Sequence, residues 1–472
     1  MHNPPRIPRT RINNTMTATS KTEMEEKNMT EEVKDDVSDL EVKQPEAPVD
    51  EKKLAALKAK SAAKAQESKM AVKIVAKKER SLNFGIVGSG QCGSRLAEAF
   101  YNLGYDAVVC NTTLVDLKGI SIPDANKLLL EQHIGGAAKE LLIGESAAQS
   151  YKGEILQLVN DKLGASQVNI FCTSLGGGSG AGSAETMVEI LNEVGKPVIC
   201  VVALPMDSED LQTKSNALTT LSKLASLAQS NKISNLIVVD NAKLESIYAD
   251  VSPLNFFNVA NKAIVEPLDI FNTLSSTPSA TKGLDEAEFT KLLLGTSGLT
   301  VYGELVVENF EEDTALAEAV INNLNGNLLA GGFDLKQTAY AGVLFCANKS
   351  VWEKIPASSL NYAMSIVQDQ CGSPKNVFRG VYETNSPENV VKVYSMFSGL
   401  LLPDTRIDQL KAETKELNQK AKVKDENRSL SLKIDTGTEE NVSAAQRIKD
   451  KIANKGSSFG KLMGGGKIDR RK

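Results

Sequence analysis

The run Leu175-Gly176-Gly177-Gly178-Ser179-Gly180-Ala181-Gly182-Ser183 has the residue types and spacing that point most directly to chemistry. Glycine admits backbone conformations with φ > 0 and lets another group approach the main chain closely. An apolar, strand-like stretch, Val168 to Cys172, precedes the run. After it comes Ala184 to Val194, where Met187, Ile190, Leu191 and Val194 recur at helical spacing. A glycine loop between a buried strand and a helix start presents free N–H groups and the positive end of the helix dipole, which suits a phosphate. Flexible linkers are also glycine-rich, but they do not sit tightly between a buried strand and an amphipathic helix.

A second unit of the same kind lies upstream. The strand Phe84-Gly85-Ile86-Val87 leads into Gly88-Ser89-Gly90-Gln91-Cys92-Gly93, and Leu96, Ala97, Phe100 and Leu103 follow at helical spacing. Gly88-x-Gly90-x-x-Gly93 matches the dinucleotide fingerprint, which expects an acid at the end of the next strand to hold the ribose. That strand, Ala107 to Cys110, ends in Asn111-Thr112, and the nearest acid is Asp116. The phosphate-loop pattern fails too, because Ser94-Arg95 stands where Lys-Ser/Thr is required. Two glycine loops on neighbouring strand ends, neither with a phosphate lysine, predict a nucleotide held chiefly by backbone N–H groups. An NAD-dependent oxidoreductase using Gly88–Gly93 is the alternative from another class, and the missing ribose acid argues against it.

The elements that position these loops alternate between strand and helix, which predicts an α/β fold with a parallel sheet covered on both faces. The chain has 472 residues and 41% hydrophobic residues, enough for two or three domains around sizeable cores. Its net charge of −5 excludes general nucleic-acid binding by the whole protein. Cys92, Cys110, Cys172, Cys200, Cys346 and Cys371 lie far apart and form no zinc pattern, which fits a reducing compartment. His133 is one of only 2 histidines. No apolar run reaches about 18 residues, so no membrane span is expected.

Residues 1–81 carry mixed charge and no aromatic residue up to Arg80, the composition of a disordered extension. Within it, Lys52 to Lys78 is Ala/Lys-rich and helix-prone. The Arg-rich, acid-free first fifteen residues fit a transit peptide or an extended reading frame, with Met16, Met24 and Met29 as later starts. The small-residue turn His133 to Glu140 and a helix over Ser146 to Leu163 precede the central strand. Beyond the central loop, the strand Val198 to Leu204 leads to Pro205, Glu209 and Asp210. A helix through Leu218, Leu221, Leu224, Ala225 and Leu227 follows. The strand Leu236 to Val239 then ends in Asp240-Asn241. Ligands of open α/β sheets bind beyond the carboxyl ends of strands, so one site can gather Asn111, the central loop, Glu209 and Asn241. Ser252-Pro253 reads as an N-cap with Pro at N1. The stripe Phe257, Ala260, Ile264, Leu268 and Phe271 predicts a long core helix that Pro267 should kink. Strands are expected at Gly298–Val307, Ala339–Ala347, Val377–Tyr382 and Val391–Phe397, with helices at Pro356–Gln370 and from Thr405 to Leu417.

This order of elements resembles the tubulin/FtsZ superfamily of GTPases from about Leu82 to Leu410. Gly176 to Gly182 is similar to that family's GGGTGTG signature, with Ser179 and Ala181 as small-residue replacements. Gly90-Gln91-Cys92-Gly93 resembles its first nucleotide loop, Asn111-Thr112 the second and Gly136-Ala137-Ala138 the third, near the γ-phosphate. Pro205 and Glu209 resemble the loop whose acid holds the ribose, and Asn241 the sixth loop. Phe257-x-x-Ala260-Asn261 resembles the start of the central helix, whose Asn reads guanine beside an aromatic ring. The implied fold is α/β, with a Rossmann-like parallel-sheet GTPase domain (82–250), a long central helix (251–278) and a second α+β domain (279–417). A polar, basic-ended tail (418–472) follows. GTP with Mg²⁺ is the implied ligand.

The resemblance also implies a protein that assembles with itself head to tail into dynamic filaments, with GTP hydrolysis completed between subunits. Gly283 to Lys291 corresponds to the loop that does this. Glu288 is the residue expected to polarise water, Asp285 the second candidate, and Lys291 stands where the family has another acid. That departure leaves open a nucleotide-binding scaffold with little or no hydrolysis. The tail, with Phe459, Leu462, Met463, Gly464 to Lys467 and Arg470 to Lys472, is the expected contact for an adaptor, DNA or a membrane, and the expected location is cytoplasmic.

Overall fold

Segments rich in Val, Ile, Leu and Ala build the first part of the sheet: β1 (Phe84–Ser89), β2 (Asp106–Asn111), β3 (Lys127–Leu129), β4 (Val168–Ser174), β5 (Val198–Leu204) and β6 (Asn235–Asp240). All pair in parallel, in the order β3-β2-β1-β4-β5-β6. Their unbroken apolar character follows from burial on both faces. Along β5, Ile199 and Val201 join one core cluster, while Val198, Cys200, Val202 and Leu204 join the other. The computed structural model describes residues 79–131, 135–279, 281–312 and 314–431. His133, the N-terminal extension to residue 78 and the tail beyond residue 431 lie outside the described residues, with the expectations placed on them.

Helices cover the sheet as the alternation requires. They are α1 (Gly90–Asn102), α2 (Leu114–Lys118), α3 (Leu141–Ser150), α4 (Lys152–Leu163), α5 (Ser179–Glu193), α6 (Leu211–Gln229) and α7 (Asn241–Ile247). The single helix expected over Ser146 to Leu163 is two, parted at Tyr151 (φ −104°, ψ 17°). The break lets α3 lie along α5 while α4 turns Ile155, Val159 and Leu163 into the core.

The long helix α8 (Phe256–Leu274) starts later than the Ser252-Pro253 pair suggested. The Ser252 carbonyl accepts the N–H of Asn255 and of Phe256, so that pair forms the turn before the helix. Phe256, four residues before Ala260, heads the buried stripe through Ile264, Leu268 and Phe271. Phe257 is turned about 100° away from it and is 44% exposed. The helix continues as one element through Pro267. The missing proline N–H leaves the Ala263 carbonyl without its helical donor. Beside it, the Ile264 carbonyl accepts the buried Tyr302 hydroxyl at 2.6 Å.

The remaining elements are α9 (Glu286–Leu294), β7 (Leu299–Val307), α10 (Ala315–Asn322), β8 (Tyr340–Ala347), α11 (Lys349–Trp352), α12 (Ala357–Gln370), β9 (Asn376–Glu383), β10 (Val391–Leu400) and α13 (Asp404–Ser431). Strand β7 pairs in parallel with β6 at Leu236–Leu299 and Ile237–Thr300, and antiparallel with β10. The α+β half therefore continues the first sheet, completing ten strands in the order β3-β2-β1-β4-β5-β6-β7-β10-β8-β9. Helix α13 runs on to Ser431, so the polar stretch from residue 418 begins as helix. All six cysteines are free, and Cys110, Cys172 and Cys200 are fully buried core residues.

Candidate nucleotide-binding site

The carboxyl ends of β1, β4, β5 and β6 open onto a cavity of about 430 Å³. It lies where the strand order reverses between β1 and β4, the place at which open α/β sheets bind ligands. The two glycine loops line one end. Helix α1 begins at Gly90 and α5 at Ser179, and neither N-cap residue, Ser89 or Gly178, supplies a side-chain hydrogen bond. First-turn N–H groups of both helices are left for a ligand, and both dipoles add positive potential. Gly90 has φ +71°, and a β-carbon on it would lie 2.7 Å from the Gly180 nitrogen, so only glycine lets the two helix starts meet. Hydroxyl pairs fix the junction: Ser89 Oγ to Ser183 Oγ at 2.7 Å and Thr112 Oγ1 to Ser179 Oγ at 2.6 Å.

Of the residues singled out from sequence, Gly90, Gln91, Cys92, Gly136, Ala137, Gly176, Gly177, Gly178, Ser179, Gly180, Glu209, Asn241, Phe257 and Asn261 line this cavity. Asn111 and Ala181 do not. Asn111 is buried, donates its amide to Asp116 Oδ2 at 3.0 Å and accepts the Thr113 N–H at 3.2 Å. Its work is to hold Asp116, which does line the cavity and also accepts the Gln91 amide at 3.3 Å. Ala181 is buried in the first turn of α5. Away from the glycine loops, Asn241, Phe257 and Asn261 offer amide donors and acceptors beside an open aromatic ring, a set able to read a purine edge. Burial pushes the Glu209 carboxyl above the usual carboxylate range, and hydroxyl donors from a sugar would offset that desolvation.

Asp116, Arg95 and Lys139 also line the cavity, although the sequence motifs did not assign them to it. Lys139 is distant in sequence from both glycine loops, and its amine reaches Asp210 Oδ2 at 2.5 Å. Asp285 and Glu288 lie outside the cavity, at the start of α9. The Asp285 carboxylate accepts the Glu288 N–H at 2.7 Å, and Glu288 Oε2 accepts the Asp285 N–H at 3.3 Å, a reciprocal capping box. Lys291 lies one turn further along the same helix, exposed.

Residues 83–249 match the Tubulin/FtsZ family, GTPase domain, and residues 270–411 match the Tubulin/FtsZ-like protein TubZ-like, C-terminal domain. The chain belongs to the tubulin/FtsZ superfamily. Among its relatives, the tubulin-like protein TubZ of Bacillus cereus is 26% identical over 377 residues, spanning 72% of this chain and 86% of TubZ. The tubulin-like protein CetZ of Pyrococcus abyssi is 25% identical over 361 residues, spanning 75% and 95%. The fold matches the GTPγS-form protofilament of Bacillus thuringiensis serovar israelensis TubZ with a TM-score of 0.66 at 18% identity, covering 76% of this chain and 96% of that one. The GTPγS-bound protofilament of CetZ2 from Haloferax volcanii gives 0.60 at 20% identity, covering 72% and 100%.

Membership in the tubulin/FtsZ superfamily makes the chain a GTP-binding cytoskeletal protein of the polymerising kind, and the oxidoreductase reading of Gly88–Gly93 falls. Among the described residues no group of three His, Cys, Asp or Glu side chains could hold a metal by itself. A Mg²⁺ ion brought in on the nucleotide fits this cavity, since Mg²⁺ is commonly held by substrate phosphates with one or two carboxylates, here Asp116. Bound there, it would neutralise phosphate charge. Among the described residues no helix is long and apolar enough to cross a membrane.

Proposed function

We propose that GTP bound in the cavity is hydrolysed at the contact between successive subunits of a head-to-tail filament. In this reading Glu288 polarises the attacking water on its neighbour's nucleotide and Asp285 supports it. The glycine loops and the two uncapped helix starts hold the phosphates, Glu209 the ribose, and Asn241, Phe257 and Asn261 the base.

The observation that carries the reading is a set of exposed apolar side chains next in sequence to cavity-lining residues. Val115 is 76% exposed, Leu142 78% and Leu254 92%, and Leu114 and Phe257 are also exposed. Each lies in sequence within a few residues of a cavity-lining group: Thr113 and Asp116, Lys139, or Phe257 itself. Five of the exposed large apolar side chains thus fall beside cavity-lining residues, where a covering subunit would bury them, which supports the reading. A contact between unlike faces of identical subunits propagates into a filament when it does not close. The 3.3 Å bond from the Asp285 N–H to Glu288 is long for a hydrogen bond, so withdrawing the carboxylate toward a neighbour costs little. Lys291 favours the second reading, a filament-forming scaffold with little hydrolysis.

Light scattering and sedimentation with GTP, GDP or a non-hydrolysable analogue, with phosphate release followed in parallel, test the proposal. The expected result is assembly with GTP and with the analogue, and phosphate release per subunit that rises with protein concentration. Release per subunit that is independent of concentration would place catalysis within one subunit. Assembly without release would leave the scaffold.

A further inference from the structure

We propose that Arg406 is a positioning residue for the nucleoside end of the cavity, the side chain through which α13 holds the Glu209 segment and Asn241 in register with each other. The inference rests on the reading of the cavity as a GTP site and deepens it. Strands β5 and β6 are parallel neighbours, and their last residues pair, Leu204 with Asp240. Directly after them come the two segments assigned to ribose and base. Pro205, Met206 and Glu209 lie on one side and Asn241 on the other, all lining the cavity. The strand pairing stops at Leu204 and Asp240, so a side chain has to fix the spacing of the two segments beyond it.

Arg406 reaches both segments. Its Nε donates to Asp240 Oδ2 at 2.7 Å, and its Nη2 donates to Asp240 Oδ1 and to the Pro205 carbonyl, each at 3.3 Å. Asp207 Oδ1 lies 3.4 Å from the same Nη2. Asp240 in turn accepts the Ala242 N–H as the N-cap of α7, the helix that Asn241 begins. Lys214 of α6 adds a second hold, donating to the Asp207 carbonyl and to Glu413 of α13, both at 2.7 Å. The Arg406 side chain is 6% exposed and that of Asp240 5%. Burial pushes the Asp240 carboxyl above its ordinary range against the pull of Arg406, so the carboxylate depends on that guanidinium as its charge partner.

The start of α13 is itself fixed. Ile407 and Leu410 are buried in the core. Gly332, at φ +83°, passes so close that a β-carbon on it would lie 2.8 Å from the Arg406 nitrogen. A residue that only stabilised its own helix would spend its donors within that helix. Here Glu413, the ion-pair partner on α13, is 3.6 Å from Nη1, which donates no hydrogen bond among the described residues. The guanidinium's hydrogen bonds go to the two cavity segments instead. A planar fork can span a carboxylate and a neighbouring carbonyl at once, which the point charge of an ammonium cannot reproduce.

The test measures displacement of a fluorescent GTP analogue by GTP, GDP and inorganic tripolyphosphate, below the assembly concentration. It compares the wild type with Arg406→Lys and Asp207→Asn, with thermal melts to show that each variant is folded. Arg406→Lys keeps the charge and loses the fork, so GTP and GDP should weaken by the same factor, about tenfold. Tripolyphosphate, which has no base or ribose, should stay within about twofold of the wild type. Asp207→Asn changes a side chain that is 60% exposed. It should show the same pattern at about threefold and carries the test if the lysine variant does not fold. Weakening of tripolyphosphate as large as that of GTP would make Arg406 a general support of the fold and overturn the proposal. Unchanged GTP affinity in the folded variants would overturn it too, while leaving the site intact. Failure of the wild type to bind GTP or GDP would remove the site reading and the proposal with it.

Discussion

The helix starts at the cavity and the start of α9 are finished in opposite ways. Helices α1 and α5 begin without a side-chain cap, as α2, α3, α4 and α8 also do, and their first residues, Gly90 and Ser179, line the cavity. Helix α9 begins with a complete capping box in which Asp285 and Glu288 satisfy each other. Two of the other helix starts around the sheet, α6 at Asp210 and α7 at Asp240, are capped by carboxylates as well. A carboxylate at Ser89 or Gly178 would occupy the position a phosphate needs, and its charge would repel that phosphate. At Gly90 and Ser179 the uncapped N–H groups can instead be taken up by an anion in the cavity. The Asp285–Glu288 end is complete in the isolated subunit and must give up part of its own bonding to act elsewhere. One region leaves backbone donors open to a ligand; the other acts on a neighbour's nucleotide only in the proposed reading.

The largest expected effect breaks the α9 side of this contrast. Glu288→Gln preserves the capping box, because Gln serves at that position as Glu does, so folding and GTP affinity should be unchanged. GTP turnover in assembled protein should fall by about 10²-fold or more, the usual contribution of a positioned general base. Turnover equal to the wild type would reduce the Asp285–Glu288 pair to a helix cap. The next effect breaks the cavity side. Gly90→Ala puts a β-carbon against the Gly180 nitrogen at a residue with φ +71°, which forces α1 and α5 apart. Nucleotide affinity measured by titration should drop about 100-fold, from about 2–3 kcal/mol of strain and lost contact. An affinity within about twofold of the wild type would mean that the two helix starts need not meet to hold phosphate.

The glycine loops of the cavity were more legible than the side chains around them, for a physical reason. At Gly90, Gly176, Gly178 and Gly180 the residue type is the geometry, since a β-carbon there would lie under 3.0 Å from a neighbouring atom. The buried strands were equally plain: β5 was expected over Val198 to Leu204 and forms over those residues, because burial on both faces leaves an unbroken apolar run. Phe256 and Phe257 were harder, because adjacent aromatic residues do not fix the phase of a stripe, and only the turn at Ser252 sets which one faces the core. Lys139 was read only as part of the turn His133 to Glu140, and its place in the cavity lining was not. Its position follows from the hold of Asn216 and Gln212 on its carbonyl, a contact between segments far apart in the chain. Helix α10 carried no motif, and its Ala315 to Val320 segment is buried against β7 and α12.

The smallest expected effect sharpens the comparison, because Asp210 does both things at once: it caps α6 and it pairs with Lys139, one of the charged residues lining the cavity. The hydrogen bond from Lys139, with that from the Thr213 backbone next, lowers the Asp210 pKa from an ordinary 3.8 to about 2. A carboxylate with a depressed folded-state value adds stability that is fully present above the unfolded value and is lost as pH falls through the folded one. The window here is therefore from about pH 4 down to about pH 2. Both partners are about half exposed, so solvent screening limits the contribution to roughly 0.5 kcal/mol. Asp210→Asn keeps a competent cap but cannot pair with the amine, so it separates the two roles. In urea unfolding without nucleotide, the wild type should exceed the Asn variant by this small margin near pH 5, and the margin should shrink near pH 3. A margin that is already zero near pH 5 would make Asp210 a helix cap whose pairing with Lys139 adds no stability. A margin that grows with acidity would mean that the charge on Asp210 destabilises the fold, against the sign its lowered pKa gives.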